Sequence, residues 1–95
     1  MTLVVKSPVW SDLREIGLRI NQGNPDAAKE AFELLAKHPG IGRLRSFSHA
    51  GVRSWFVPGF GRYIIFYLPT KSEVQILAVL YGGRDLGSIM EERLE

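Results

Sequence analysis

Three apolar runs, residues 52–57, 63–68 and 74–81, follow one another with only short breaks between them. Each run is rich in Val, Ile, Phe, Tyr or Trp, and each break carries Pro, Gly, Lys or Ser, which is the pattern of consecutive antiparallel strands. In the middle run Tyr63, Ile65 and Tyr67 alternate with Ile64, Phe66 and Leu68. Apolar side chains on both faces place this strand in the centre of a sheet covered on both sides. Pro58-Gly59-Phe60-Gly61 is too short and too apolar to cradle a phosphate and reads as a hairpin turn.

The N-terminal half has a different period. Residues 3–6 read as a short first strand. Ser7-Pro8 starts a helix over residues 8–22, because Ser caps and Pro is tolerated in the first turn. Val9, Leu13, Ile16 and Ile20 line one face of it, and Asp12, Arg14, Glu15 and Arg19 are expected in solvent. Trp10 lies beside the stripe, half exposed, and packing in the core or helix hairpin is expected for it rather than a site. Asn24-Pro25 opens a second helix over residues 25–37, with Ala28, Ala31, Phe32 and Leu35 apolar. Small residues Ala27, Ala28 and Ala31 allow a close approach to its neighbour. Residues 41–51 read as a basic loop, and Leu86, Ile89, Met90 and Leu94 suggest a short last helix.

The order is β-α-α-β-β-β-α, an α+β domain with a two-helix hairpin on one face of an antiparallel sheet. The second face is expected to lack a layer of its own, to be partly apolar through Trp55, Tyr63 or Tyr81, and to require a partner. Ninety-five residues make one domain, 1–95, with a modest core. The chain has no cysteine for disulfides or thiolate metal sites, no His/Asp/Glu metal spacing and no membrane-length apolar run. No cofactor and a cytoplasmic location are expected.

Net charge is only +2, but its distribution is uneven. Lys37, Arg43, Arg45, Arg53, Arg62 and Lys71 span a stretch with no Asp or Glu. A central basic face suggests a polyanion or acidic partner. Candidate contact residues are Arg53, Trp55, Arg62, Tyr81, Arg84 and Asp85. Each has a plainer reading: Trp55 as core, Tyr81 as packing against the last helix, Asp85 as that helix's cap, Arg84 as the ion-pair partner of an acid on the first helix. His49 is a lone loop histidine.

Ser7-Pro8 with Asp12-Leu13, Asn24-Pro25-Asp26-Ala27-Ala28, Pro39-Gly40-Ile41-Gly42-Arg43, Val52-Arg53-Ser54, Tyr63-Ile64-Ile65-Phe66-Tyr67 and Val79-Leu80-Tyr81-Gly82-Gly83-Arg84-Asp85-Leu86 follow in an order that resembles the RelE/ParE superfamily of bacterial toxins from type II toxin–antitoxin modules. The resemblance implies a cognate antitoxin and one of two activities. RelE-like members are ribosome-dependent mRNA endoribonucleases, and ParE-like members poison DNA gyrase by binding. The RelE-like acid–base set implied by the resemblance is largely missing. Ile64 stands where an arginine is expected, the strand at 52–57 has no lysine, and the last helix has no Tyr or His, with Met90 near the tyrosine's place. The ending Arg84-Asp85-Leu86 resembles the ParE-like side. The resemblance therefore implies a gyrase-binding toxin with no catalytic residue. The alternative is a reduced nuclease using Arg53, Arg62, Arg84 and Tyr81 on ribosome-bound mRNA.

Overall fold

The computed structural model describes residues 1–23, 27–82 and 85–94, and the side chains of all of these except 17–23. The elements in chain order are β1 (Thr2–Val5), α1 (Ser7–Gly23), α2 (Ala27–Lys37), β2 (Arg43–Leu44), β3 (Arg53–Val57), β4 (Phe60–Pro69), β5 (Glu73–Tyr81) and α3 (Leu86–Arg93). The expected order holds, with one addition: the basic loop contains the two-residue strand β2. The start signal at Asn24-Pro25 and the turn between the helices lie outside the described residues.

The five strands form one sheet in the order β1-β5-β4-β3-β2, so β4 is central as its two-sided apolar pattern requires. The sheet is not wholly antiparallel. β1 runs parallel to β5, with Thr2 opposite Glu73 and Val5 opposite Ile76. A parallel neighbour needs a crossover, and the intervening chain with α1, α2 and three strands supplies it. At the β3–β4 turn Pro58 precedes Gly59, whose φ of 82° matches the second central position of a Pro-Gly turn.

The β4–β5 ladder contains one irregularity that organises both faces. Phe66 pairs with Ala78 and Tyr67 pairs with Ile76, so Leu77 is the extra residue of a β-bulge. An extra residue exchanges the faces to which alternate side chains point. Val74 and Ile76 before the bulge and Val79 after it therefore join the same core.

That core lies between the sheet and the helices. It joins Val9, Ile16, Ala27, Ala31, Phe32 and Leu35 to Val57, Tyr63, Ile65, Tyr67, Val74, Ile76 and Val79. Complete burial of a side chain such as Leu35 or Ile65 contributes about 1.5–3 kcal/mol before entropy is counted. Trp55 and Tyr81 pack against this helix-side core, and Tyr63 is part of it. This corrects the expectation that they sit on an uncovered face. Trp55 is opposite Ile65 and Tyr81 is opposite Tyr63, so cross-strand pairing sends them to the helix side.

The second face is not bare either. α3 lays Met90 over Val52, Phe66, Ala78 and Leu80, with Phe47, Ile64, Leu68, Leu77, Leu86, Ile89 and Leu94 around them. Trp10 is 58% exposed, in keeping with its half-exposed place beside the stripe, rather than packed in the core. Among the described side chains of α1, Val9, Asp12 and Ile16 are buried and Leu13 packs against the core, and Trp10 lies one helical step to the side.

Candidate functional site

Asp12 was expected in solvent and is 4% exposed. Its spacing explains the difference: residues 9, 12, 13 and 16 share one helical face, so Asp12 interrupts the apolar stripe rather than lying opposite it. The carboxylate meets β5 where β1 has ended. Asp12 Oδ2 accepts from the Val79 N–H at 3.0 Å and from Arg93 Nη1 at 2.6 Å. Arg93 Nη2 donates to Asp12 Oδ1, completing a bidentate pair. Arg93 Nη1 also donates to the Leu77 carbonyl at 3.0 Å. One ion pair thus satisfies both main-chain groups exposed beside the bulge and ties α1, β5 and α3 together. An arginine does pair with an acid of the first helix, but the arginine is Arg93. Arg84 lies outside the described residues.

The segment after α2 is built around Tyr67. Its hydroxyl donates to the Pro39 carbonyl at 2.7 Å and accepts from the Gly42 N–H at 2.9 Å. Burial raises the Tyr67 pKa, opposed by the Gly42 hydrogen bond and the nearby Arg53 charge. Gly42 is required by space: a Cβ there would lie 2.7 Å from Tyr67 Cε1 and 2.8 Å from the Ser54 carbonyl. Arg53 Nη1 donates to the carbonyls of Gly42 at 2.8 Å and Gly40 at 3.4 Å. Arg53 therefore holds the turn that leads into β2.

The remaining candidates are distributed. Trp55 is half-buried and stacks on Phe56 with ring centroids 4.8 Å apart, and its buried Nε1 has no hydrogen-bond partner. Arg62 Nη1 donates to the Tyr81 hydroxyl at 3.3 Å, and the Tyr81 ring tilts against Tyr63. These two candidates are brought together at the far end of β4 and β5. Asp85 caps α3: its Oδ1 accepts from the Ser88 N–H at 3.3 Å and its Oδ2 from the Ser88 hydroxyl at 2.8 Å. Those bonds lower the Asp85 pKa. His49 is exposed, with Nδ1 2.9 Å from the Ala50 carbonyl.

An open surface remains where α3 does not reach. Ser54 pairs with Arg43 on one side and Phe66 on the other, so Arg43 shares the α3-side face. Arg45 Nη1 donates to Ser54 Oγ at 3.3 Å, and its guanidinium sits 5.6 Å from the Phe66 ring centroid. Together with Ile41, Phe56, Gly61 and Ile64 these arginines line an open depression of about 580 Å³, which Trp55 also borders. Phe56 is 42% exposed on its rim. Arg43 and Arg45 of the basic stretch and the candidate Trp55 all border this depression, and Phe56 and Ile64 are additions to the sequence reading. The signal available was the even-numbered set Ser54, Phe56 and Ile64, opposite in alternation to Trp55 and Tyr63.

Among the described residues no group of three His, Asp or Glu side chains could hold a metal ion. Among them also, no helix is long and apolar enough to cross a membrane.

A bulged sheet backed by two helices thus carries an open face beside β2, lined by Arg43 and Arg45. Residues 3–86 match the family model described as the ParE toxin of the type II toxin–antitoxin system, parDE, and the chain belongs to that family. It is the toxin half of a toxin–antitoxin pair and lies on the ParE-like side of the superfamily. No curated protein matches the chain.

Proposed function

We propose that this protein is a one-domain cytoplasmic toxin that acts by binding DNA gyrase in its DNA-cleaved state, and that a cognate antitoxin neutralises it. The observation that carries the reading is how the polar side chains are used. Arg53 is bound to the Gly40 and Gly42 carbonyls, and the Tyr67 hydroxyl is held between Pro39 and Gly42. Tyr81 is turned to Arg62, on the opposite end of β4 from Tyr67. General acid–base catalysis needs a proton donor and acceptor converging on one reacting bond. These groups instead fix loops and strand ends.

Purified protein is expected to inhibit supercoiling by gyrase or to accumulate cleaved DNA, and to leave ribosome-bound mRNA intact. An acid or base typically contributes ~10²–10⁴-fold, so the absence of several reduces cleavage below detection. Codon-positioned mRNA cutting lost in a folded Arg53→Ala variant, with gyrase unaffected, would reverse the assignment in favour of the RelE-like nuclease.

A further inference from the structure

We infer that the depression on the open sheet face binds an unpaired strand of DNA, with Arg43 and Arg45 on its phosphates and a base stacked on the Phe56 ring. The inference rests on the gyrase-binding reading for its choice of DNA, and it gives that reading a means of telling cut DNA from intact DNA.

The first argument is energetic. A ligand shifts an equilibrium between two states only by its differential affinity for them. A toxin that holds gyrase in its DNA-cleaved state must therefore touch something that the intact state lacks. A cut duplex has strand ends whose bases leave the stack, whereas an intact duplex keeps its bases paired. A surface that takes an unstacked base distinguishes the two.

The second argument is charge. None of the residues lining the depression is acidic, and no Asp or Glu occurs between Lys37 and Lys71. Arg43 is exposed, and among the described residues none holds its guanidinium. Arg45 is fixed by Ser54 Oγ and the Phe66 ring, which occupies one of its N–H groups and leaves the rest for phosphate oxygens.

The third is the aromatic platform. Phe56 stacks on Trp55 and is still 42% exposed, and Ile64, its directly paired neighbour on β4, extends the apolar floor. A ring held in place by a neighbour and open to solvent stacks on a base of any sequence. An acidic protein would be served by the cations alone. The ring beside them suits a ligand that alternates anions with flat apolar groups, which is a nucleic-acid strand. The depression's volume of about 580 Å³ falls within the roughly 300–1,000 Å³ of small-ligand sites, the size for a nucleotide rather than a duplex.

The test titrates a labelled DNA single strand, the matched blunt duplex and an RNA strand of the same sequence onto the full-length toxin at low and high salt. Phe56→Ala, Arg43→Ala and, as a control on α2 behind the sheet, Lys29→Ala are compared with wild type, and all four proteins enter the gyrase cleavage assay. The three side chains are exposed, so the variants are expected to melt as wild type does; should Phe56→Ala or Arg43→Ala misfold, the other carries the test. Phe56→Ala is expected to weaken the DNA strand roughly fivefold or more. Arg43→Ala is expected to weaken it and to lower the slope of its salt dependence by roughly one. Lys29→Ala should stay within about twofold, the duplex should bind about tenfold more weakly than the strand, and accumulation of cleaved DNA should fall with strand affinity. Strand binding that is undetectable, or unchanged in the folded Phe56 and Arg43 variants, overturns the inference; if wild type still accumulates cleaved DNA, the gyrase reading stands. A duplex bound as tightly as the strand, or RNA bound more tightly, overturns it as well. So does loss of antitoxin binding alone in these variants, which would mark the face as a protein surface. The expected pattern of strand binding with no effect on gyrase would support the surface and overturn the gyrase reading.

Discussion

Asp12→Ala is expected to be among the most destabilising single substitutions in this chain, although sequence places the residue on a helix among charged neighbours. The change removes the acceptor of the Val79 N–H and both anionic oxygens facing Arg93. An orphaned buried N–H costs about 1–3 kcal/mol. Breaking a buried ion pair from one side costs about 3–5 kcal/mol when the remaining charge is fully enclosed. Arg93 is 21% exposed and keeps its bond to the Leu77 carbonyl, so water relieves part of that cost. These contributions overlap, and a total of about 3 kcal/mol follows at the lower end. For a domain of this size about 1 kcal/mol moves the melting temperature by roughly 4–8 °C, so the loss should exceed ~10 °C. Asp12→Asn keeps an oxygen for Val79 and should cost about half as much, since only the charge assistance is lost. Urea and thermal unfolding of Asp12→Ala, Arg93→Ala and the double variant complete a cycle. The double variant should be clearly less destabilised than the sum of the singles, because each single change strands the other partner. A shift below ~1 kcal/mol for Asp12→Ala, or strict additivity, would show that the pair is solvated and the reasoning wrong.

Gly42→Ala should destabilise by about 1–3 kcal/mol in thermal unfolding, because the added methyl meets the Tyr67 ring and the Ser54 carbonyl in a closed space. Gly61→Ala, where a Cβ meets nothing within 4 Å, is the control and should cost less than half as much. Acid should loosen α3 first: hydrogen bonds from Ser88 lower the Asp85 pKa, and those from Ser48 lower that of Glu91. Depressed carboxylates contribute stability that is complete above their unfolded values, about 3.9 and 4.3, and is lost as pH falls through the lower folded values. Amide exchange at Ser48 and Ser88 should therefore rise below about pH 4 before the β4–β5 amides respond, and simultaneous loss of all of them would contradict the ordering.

The strands were legible because their alternation and turn residues agree. Tyr63 to Leu68 carry apolar groups to both faces, and the structure sets them in the central strand. The helices were legible from Val9, Ile16, Ala31, Phe32 and Leu35 at helical spacing. What sequence concealed depends on long-range partners. Asp12 looks like a solvent residue until Arg93, distant in the chain, and the unpaired end of β5 are brought to it. The parallel pairing of β1 follows from a crossover no local pattern records. The cover over the second face was missed because α3 buries Met90 alone among its residues, too little to mark a periodic stripe. The open surface is basic and aromatic as the sequence suggests, with Arg43, Arg45 and Trp55 on it and Phe56 and Ile64 added, while Tyr63 and Tyr81 belong to the helix-side core.

Leu77 makes β5 intolerant of length change. Before it, even-numbered residues such as Val74 and Ile76 face the helices; after it, odd-numbered Val79 does. Deleting a residue between Ile76 and Val79 would remove the phase change, leaving the two halves of the strand with incompatible demands. Either Val74 and Ile76 or Val79 and Tyr81 would have to turn away from α1 and α2, and the Val79 N–H would no longer meet Asp12. Substitutions at position 77 leave that count intact. Variation here should therefore be limited to apolar side chains that still pack beside Met90, and closed to insertion or deletion, with the bulge acting as a one-residue spacer that sets the phase of the strand.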